Sequence, residues 1–287
     1  MKSKQINTPL ILCIMDGWGL RKQKKYNAVK LAKTLNYDYF LNNFQNCELD
    51  ASGEYVGLPK KQIGNSEVGH MNLGAGRVIQ QTLPKINVEM ENNEIFENKN
   101  LNHFINNNSK KNVIHMLGLC STGGVHSHKD HLIKISNILC KNNFKVFMHL
   151  FSDGRDVSKY EFGKIIEDFL KKLNPKVEIV SLVGRFFSMD RDNRWDRTKI
   201  SYDLIISGKH EFKYKNIKTA IKSAYSRGET DEFISPTIIG DYTGINKNDS
   251  IFISNFRADR VRQLLESLLN PAFKKFERSD KNYFFQN

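Results

Sequence analysis

Short apolar runs, each closed by a glycine or a charged residue, alternate along this chain with stretches of helical spacing. Val113 to Leu117, Lys145 to Phe151 and Val177 to Val183 read as strands, because their apolar residues are continuous over the length a buried strand needs. Between them, Leu132, Ile135, Ile138 and Leu139 within Lys129 to Cys140 recur at three- and four-residue steps. So do Tyr160, Phe162, Ile165, Ile166, Phe169, Leu170 and Leu173. Each set places one buried stripe on a helix. Ile251-Phe252-Ile253 predicts another strand, followed by a helix through Val261, Leu264, Leu265 and Leu268. Strands joined by helical crossovers must run parallel, so the pattern predicts an α/β fold with a largely parallel sheet and its ligand at the carboxyl ends of the strands. Nearer the N-terminus, Leu10 to Met15 reads as a strand buried on both faces. Gly64 to His70 reads as a loop opening a helix.

From about Gln80 to Asn112 the chain turns polar, with asparagine runs around a few apolar anchors. A boundary near its start divides the sequence into domains 1–80 and 81–287. No self-similarity at solenoid periods is visible.

Composition adds limits. Of 287 residues, 39% are hydrophobic and 26% charged, ordinary for a globular protein and long enough for two domains. No apolar run reaches the length of a membrane helix, which predicts no membrane partner. Met1-Lys2-Ser3-Lys4 before Pro9 to Met15 has the outline of a secretory signal, but the run is short and lacks a small-residue cleavage site. Four cysteines without a C-x-x-C pair fit a reducing compartment, and a cytoplasmic location is expected. The net charge of +13 raises nucleic acid as a partner, yet the lysines are scattered and form no basic helix or aromatic-interleaved stripe, so none is expected.

The chemistry gathers where the strands end. Arg155, Arg185, Arg191, Arg257 and Arg260 all follow strands. Guanidinium groups clustered without matching acid imply a small, multiply anionic ligand, because each fork binds phosphate or carboxylate through paired hydrogen bonds. The competing reading is that each arginine bridges a surface acid. Arg257 and Arg260, three apart at a helix start, read as a clamp. Asp16, at the end of a buried strand, needs a cation or donor beside it. Ser66 either presents a reactive hydroxyl at a helix start or simply caps that helix. His126, His128 and His131 could cluster on zinc, or His126 alone could contact an anion while the others are structural.

In order along the chain stand Asp16-Gly17-Trp18-Gly19, Gly64 to His70 with Gly74-Ala75-Gly76-Arg77, and Gly123-Gly124-Val125-His126-Ser127-His128. Asp153-Gly154-Arg155-Asp156, Met189 to Trp195, Asp231-Glu232-Phe233 and Asn255 to Arg260 follow. Together they resemble cofactor-independent phosphoglycerate mutases of the alkaline phosphatase superfamily over nearly the whole chain. The resemblance implies the N-terminal part of an alkaline-phosphatase-like metal domain, then an inserted α/β transferase domain of parallel β-α-β units. It implies an isomerase of glycolysis that interconverts 3- and 2-phosphoglycerate through a phosphoserine at two manganese ions, without 2,3-bisphosphoglycerate, as a monomer. Ser66 would be phosphorylated and would ligate one ion together with Asp16. His126, Arg155, Asp156, Arg185, Arg191, Arg257 and Arg260 would hold the phosphoglycerate. Thr122, Ser158 and Lys159 depart from the family pattern beside that site. The family's metal domain resumes after the insertion with further metal ligands, whereas no histidine follows His210 here. The chain is therefore expected to be truncated, and an inactive phosphoglycerate-binding remnant is the alternative expectation.

Overall fold

The computed structural model describes residues 9–60 and 62–278. The basic tetrapeptide Met1 to Lys4 and the tail from Ser279 lie outside the described residues. Contacts divide the chain into two compact units, Met1–Pro84 and Lys85–Asn287.

In the first unit, α1 (Ala28–Leu31) and α2 (Leu35–Asn43) precede a 3-10 turn at Gly53–Val56 and helix α3 (Ser66–Ala75). Leu10 to Met15, expected as a buried strand, forms no strand, and Leu10 and Ile11 are 95% and 85% exposed. A central strand exists only if neighbours on both sides take its N–H and C=O groups. Among the described residues of this unit no strand is present to do so. Among its described residues, Val56, Leu58 and Val68 form a small buried apolar cluster.

The polar stretch after Gln80 is largely helical: α4 (Thr82–Glu91), a 3-10 turn at Glu94–Glu97, and α5 (Lys99–Asn107). Asn98 caps α5 by accepting the N–H groups of Asn100 and Leu101, and Leu101 and Ile105 bury one face.

The rest of the second unit alternates strands and helices. In order come β1 (Val113–Leu119), α6 (Lys129–Lys141), β2 (Lys145–Ser152), α7 (Phe162–Lys172), β3 (Val177–Gly184) and a short α8 (Arg185–Ser188). Then follow α9 (Trp195–Ser207), β4 (Phe212–Tyr214), α10 (Ile217–Ser226), β5 (Thr237–Ile239), β6 (Ser250–Ile253) and α11 (Arg262–Leu269). The sheet order is β4-β5-β3-β2-β1-β6. Among the described residues only the β3–β5 pair is antiparallel, so the mixed α/β, mostly parallel architecture expected from the sequence holds. Helices α5, α6, α7 and α10 pack on one face of the sheet and α9 and α11 on the other. Coverage on both faces is why β1 to β3 read as unbroken apolar runs.

One buried polar network interrupts the second face. His115 Nδ1 meets His149 Nε2 at 2.9 Å, His115 Nε2 meets Asp249 Oδ2 at 3.2 Å, and His149 Nδ1 meets Ser181 Oγ at 2.8 Å. Every partner is satisfied inside the fold, and the network ties β1, β2, β3 and the turn before β6 together.

Candidate functional site

Strands β3, β2, β1 and β6 lie side by side and parallel, so the loops after their carboxyl ends meet at one edge. β1 leads to His126, β2 to Asp153, Arg155 and Asp156, β3 directly to Arg185, and β6 to Arg257, Asp259 and Arg260. The loops are stitched to one another: Asn255 Oδ1 accepts the N–H of Leu119 at 2.9 Å, and Phe256 donates its N–H to His126 O at 3.0 Å.

Arg185, only 3% exposed, donates from Nη1 to Asp153 Oδ1 at 2.6 Å and to Asp156 Oδ2 at 2.5 Å. Asp259 draws in three groups, with Arg191 Nη1 at 2.9 Å, Arg257 Nε at 3.1 Å and His126 Nδ1 at 3.5 Å. Arg155 Nη1 pairs with Glu232 Oε1 at 3.2 Å. The sequence pattern suggested guanidinium groups without matching acid, and the structure corrects this: four of the five have a carboxylate partner. Arg260 is the exception among the described residues, donating to the carbonyl of Met189 at 3.2 Å and forming no ion pair. A second correction concerns the clamp. Helix α11 starts only at Arg262, so Arg257 and Arg260 lie in the turn before it, and their aim is set by the stitched loop and not by a helix face.

The cluster is still electropositive at its centre. Burial lowers the Arg260 pKa, and the neighbouring charges of Arg191, Arg185 and Arg155 push it further in the same direction against Asp259. Burial would raise the Asp153 carboxyl, yet Arg185 and the Ser121 hydroxyl hold it below the usual range. Asp259 is likewise held low, its burial outweighed by Arg257, His126 and Arg191. Charges in such a low-dielectric setting act strongly on a ligand that displaces their water.

His126 lies between Asp156, at 3.9 Å from Nε2, and Asp259. Burial, then the charges of Arg185 and Arg257, lower its pKa to about 4 against the pull of both carboxylates. His131, hydrogen-bonded to Asn87 at 2.7 Å, is also lowered to about 4, chiefly by burial. His128 caps α6 by accepting the N–H of Asp130. Among the described residues no group of three or more His, Cys, Asp or Glu side chains stands together as metal donors.

These imidazoles set a pH dependence. A folded state that keeps both neutral binds fewer protons than the unfolded chain, so their contribution is fully present above about pH 6.5 and is lost as pH falls toward 4. At His131 the shift is worth on the order of 3 kcal/mol across that window. Urea midpoints of the chain should fall steadily from pH 7 to pH 4.5, and His131→Asn should flatten the slope. A stability independent of pH over that range would contradict the assignment.

In the first unit, α3 is capped by Asn65, whose Oδ1 accepts the N–H of Val68 at 3.1 Å. The capping role considered for Ser66 is therefore filled by its neighbour. Ser66 is the first helical residue, and its hydroxyl donates to Asp16 Oδ2 at 2.7 Å with His70 Nδ1 3.3 Å away. Gly17 takes a φ of +77° immediately after Asp16, a conformation that glycine adopts at little cost. Asp16 and Ser66 offer two oxygen donors, short of the roughly six-ligand shell a manganese ion takes. The described residues alone do not complete a metal site.

Asp153, Asp259 and Glu232 were not among the site residues expected from the sequence. Asp153 and Asp259 stand inside the same short motifs as Arg155 and Arg257, whereas Glu232 belongs to the separate Asp231-Glu232-Phe233 motif.

Residues 86–286 match a family model described as BPG-independent PGAM N-terminus. A 2,3-bisphosphoglycerate-independent phosphoglycerate mutase 1 of Methanosarcina barkeri is 43% identical over 283 residues, covering 96% of this chain and 55% of its own length. A similarly named protein of Vesicomyosocius okutanii is 45% identical, covering 97% and 55%. Among solved structures, Leishmania mexicana phosphoglycerate mutase at low cobalt concentration superposes with a TM-score of 0.81 at 28% identity, covering 95% of this chain and 52% of that one. The chain spans about half the length of the curated relatives it matches.

Proposed function

The chain belongs to the BPG-independent phosphoglycerate mutase family, and from that premise we propose that it carries the phosphoglycerate-binding surface and the phosphorylated serine of that enzyme. The observation that carries the reading is the set of strand-end guanidinium groups with the His126 imidazole in their midst. A phosphate and a carboxylate on one three-carbon ligand need several forks, and ionised groups of the ligand can take over hydrogen bonds that Arg185 now donates to Asp156 and Arg191 to Asp259. His126, Arg155, Asp156, Arg185, Arg191, Arg257 and Arg260 hold the ligand in this proposal, with Asp259 setting the aim of Arg191 and Arg257.

Ser66 is the proposed nucleophile. Its Oγ forms a bond to phosphorus as the bond between phosphorus and the glycerate oxygen breaks, and the hydroxyl proton leaves toward Asp16. The departing oxygen takes up a proton, and the reverse step at the other hydroxyl returns the phosphate. We propose manganese as the divalent ion, with Asp16 and Ser66 as part of the shell of one of two ions and the remaining donors supplied by the portion of the relatives that this chain does not span. A divalent ion there would supply charge stabilisation of the transferring phosphoryl group. The setting is glycolysis and gluconeogenesis in the cytoplasm, with a monomeric protein and a small-molecule substrate. No helix among the described residues is long and apolar enough to cross a membrane.

A second reading is favoured by one observation, that the described residues offer two donors at Asp16 and Ser66: residues 1–287 by themselves bind phosphoglycerate through the arginines without turning it over. Both readings require binding. Calorimetry of the chain with 3-phosphoglycerate should show saturable binding that Arg257→Ala weakens by about 2–5 kcal/mol, the range for truncating one partner of a desolvated charge pair. Equal affinity in wild type and variant would remove Arg257 from the site.

A further inference from the structure

The Asp231-Glu232-Phe233 motif has no part in the ligand set above, yet the 3-10 turn it forms sits against both arginine-bearing loops. A Cβ on Gly154 would stand 2.5 Å from Glu232 N and 2.8 Å from Asp231 Cβ. One on Gly184 would stand 2.3 Å from Glu232 O and 2.7 Å from Ile234 N. Gly154 immediately precedes Arg155, and Gly184 immediately precedes Arg185. Both glycines therefore yield their side-chain space to a single turn, and the backbone of that turn fixes where two site arginines leave the sheet.

The turn itself is locked. Asp231, fully buried, accepts the N–H groups of Glu161 and Phe162 at 2.8 Å each through Oδ2, serving the start of α7 from a distant part of the chain. Its Oδ1 accepts the Tyr225 hydroxyl at 2.5 Å, and its carbonyl accepts the Ser152 hydroxyl at 2.6 Å. Gly184 donates its N–H to Ile234 O at 2.7 Å, and Asp231 donates its N–H to Lys159 O at 2.9 Å. Glu232 is thus mounted on a rigid support, with its side chain 16% exposed. It faces an arginine whose side chain is 55% exposed and which it engages through Nη1 alone.

We propose that Glu232 is the positioning residue for Arg155: it holds a solvent-exposed guanidinium at the ligand site before the ligand arrives. An unrestrained arginine loses rotamer freedom when it binds an anion, and prior restraint removes part of that loss. As an exposed ion pair it adds little to stability, so its effect appears in binding. The consequence for affinity rests on the phosphoglycerate reading above, whereas the restraint of Arg155 does not.

The test uses the whole chain and the variants Glu232→Gln, Arg155→Ala and the double substitution. In the absence of ligand, phenylglyoxal should modify Arg155 at least threefold faster in Glu232→Gln than in wild type, read by peptide mass spectrometry, with unchanged modification of Arg257. With 3-phosphoglycerate, Glu232→Gln should weaken binding about three- to tenfold at an unchanged unfolding midpoint. In the Arg155→Ala background the same substitution should change affinity by less than a factor of two, because the effect passes through Arg155. Unchanged labelling overturns the restraint itself. Tighter binding in Glu232→Gln overturns positioning and shows the carboxylate to be a competitor. Equal losses with and without Arg155 overturn it in favour of a general structural role. Failure of the wild type to bind 3-phosphoglycerate, with faster labelling retained, counts against the phosphoglycerate reading and leaves the restraint supported.

Discussion

Arg185→Met is expected to lower the stability of the second unit by about 3–5 kcal/mol and to abolish phosphoglycerate binding. Among the described residues, the substitution removes the only ion-pair partner of Asp153, whose side chain is 1% exposed, and leaves Asp156 without its 2.5 Å contact. An unpaired buried carboxylate is what makes the loss large, since breaking a buried pair costs far more than replacing both members. Asp153 also accepts the Ser121 hydroxyl and the N–H groups of Arg155 and Asp156, so the loop carrying both site residues should loosen. Urea titrations followed by circular dichroism measure the first effect and calorimetry the second. The double variant Arg185→Met with Asp153→Asn should recover part of the stability and none of the binding. A single variant within about 1 kcal/mol of wild type would mean that the pair is not the keystone of this edge of the sheet.

The second large effect concerns Ser66. In a protein completed with the portion of the relatives that this chain does not span, and loaded with manganese, Ser66→Ala is expected to eliminate interconversion of 3- and 2-phosphoglycerate. Coupling the product to enolase gives the readout. The helix should survive, because Asn65 supplies the cap and Ser66 Oγ makes no capping hydrogen bond. Loss of activity with the circular dichroism spectrum and the unfolding midpoint kept is the signature of a nucleophile. Appreciable turnover by the folded variant would assign the phosphoryl acceptor elsewhere.

Strands β1, β2 and β3 were legible because burial on both faces leaves continuous apolar runs, and α6 and α7 because their stripes keep helical spacing. Strands β4 and β5 were not: each has three residues, too few for any period to show. Helix α5 was hidden by its asparagines, although Leu101, Phe104 and Ile105 carry the stripe. The arginines could be read as a group from their positions after strands, but their partners could not. Asp153 and Arg185 are 32 positions apart, and Arg155 and Glu232 are 77 apart; spacing along a chain says nothing about pairs closed by the sheet. Leu10 to Met15 shows the opposite failure. Its composition demands burial between neighbours, and the pattern carries no information on which strands provide it.

That same run has a bearing on handling. From Pro9 to Met15 there is no charged residue, and Leu10, Ile11 and Leu12 stand 95%, 85% and 72% exposed with no ladder partner among the described residues. Apolar segments of this length with high β-propensity are templates for strand addition between molecules. Identical copies meeting in concentrated solution can satisfy one another's backbone groups through this run, which makes these seven residues, remote in sequence from every arginine of the ligand site, a candidate segment for self-association. Asp16 and the glycines beside it limit how far such pairing extends, and a charge introduced at Ile11 would act as a gatekeeper against aggregation.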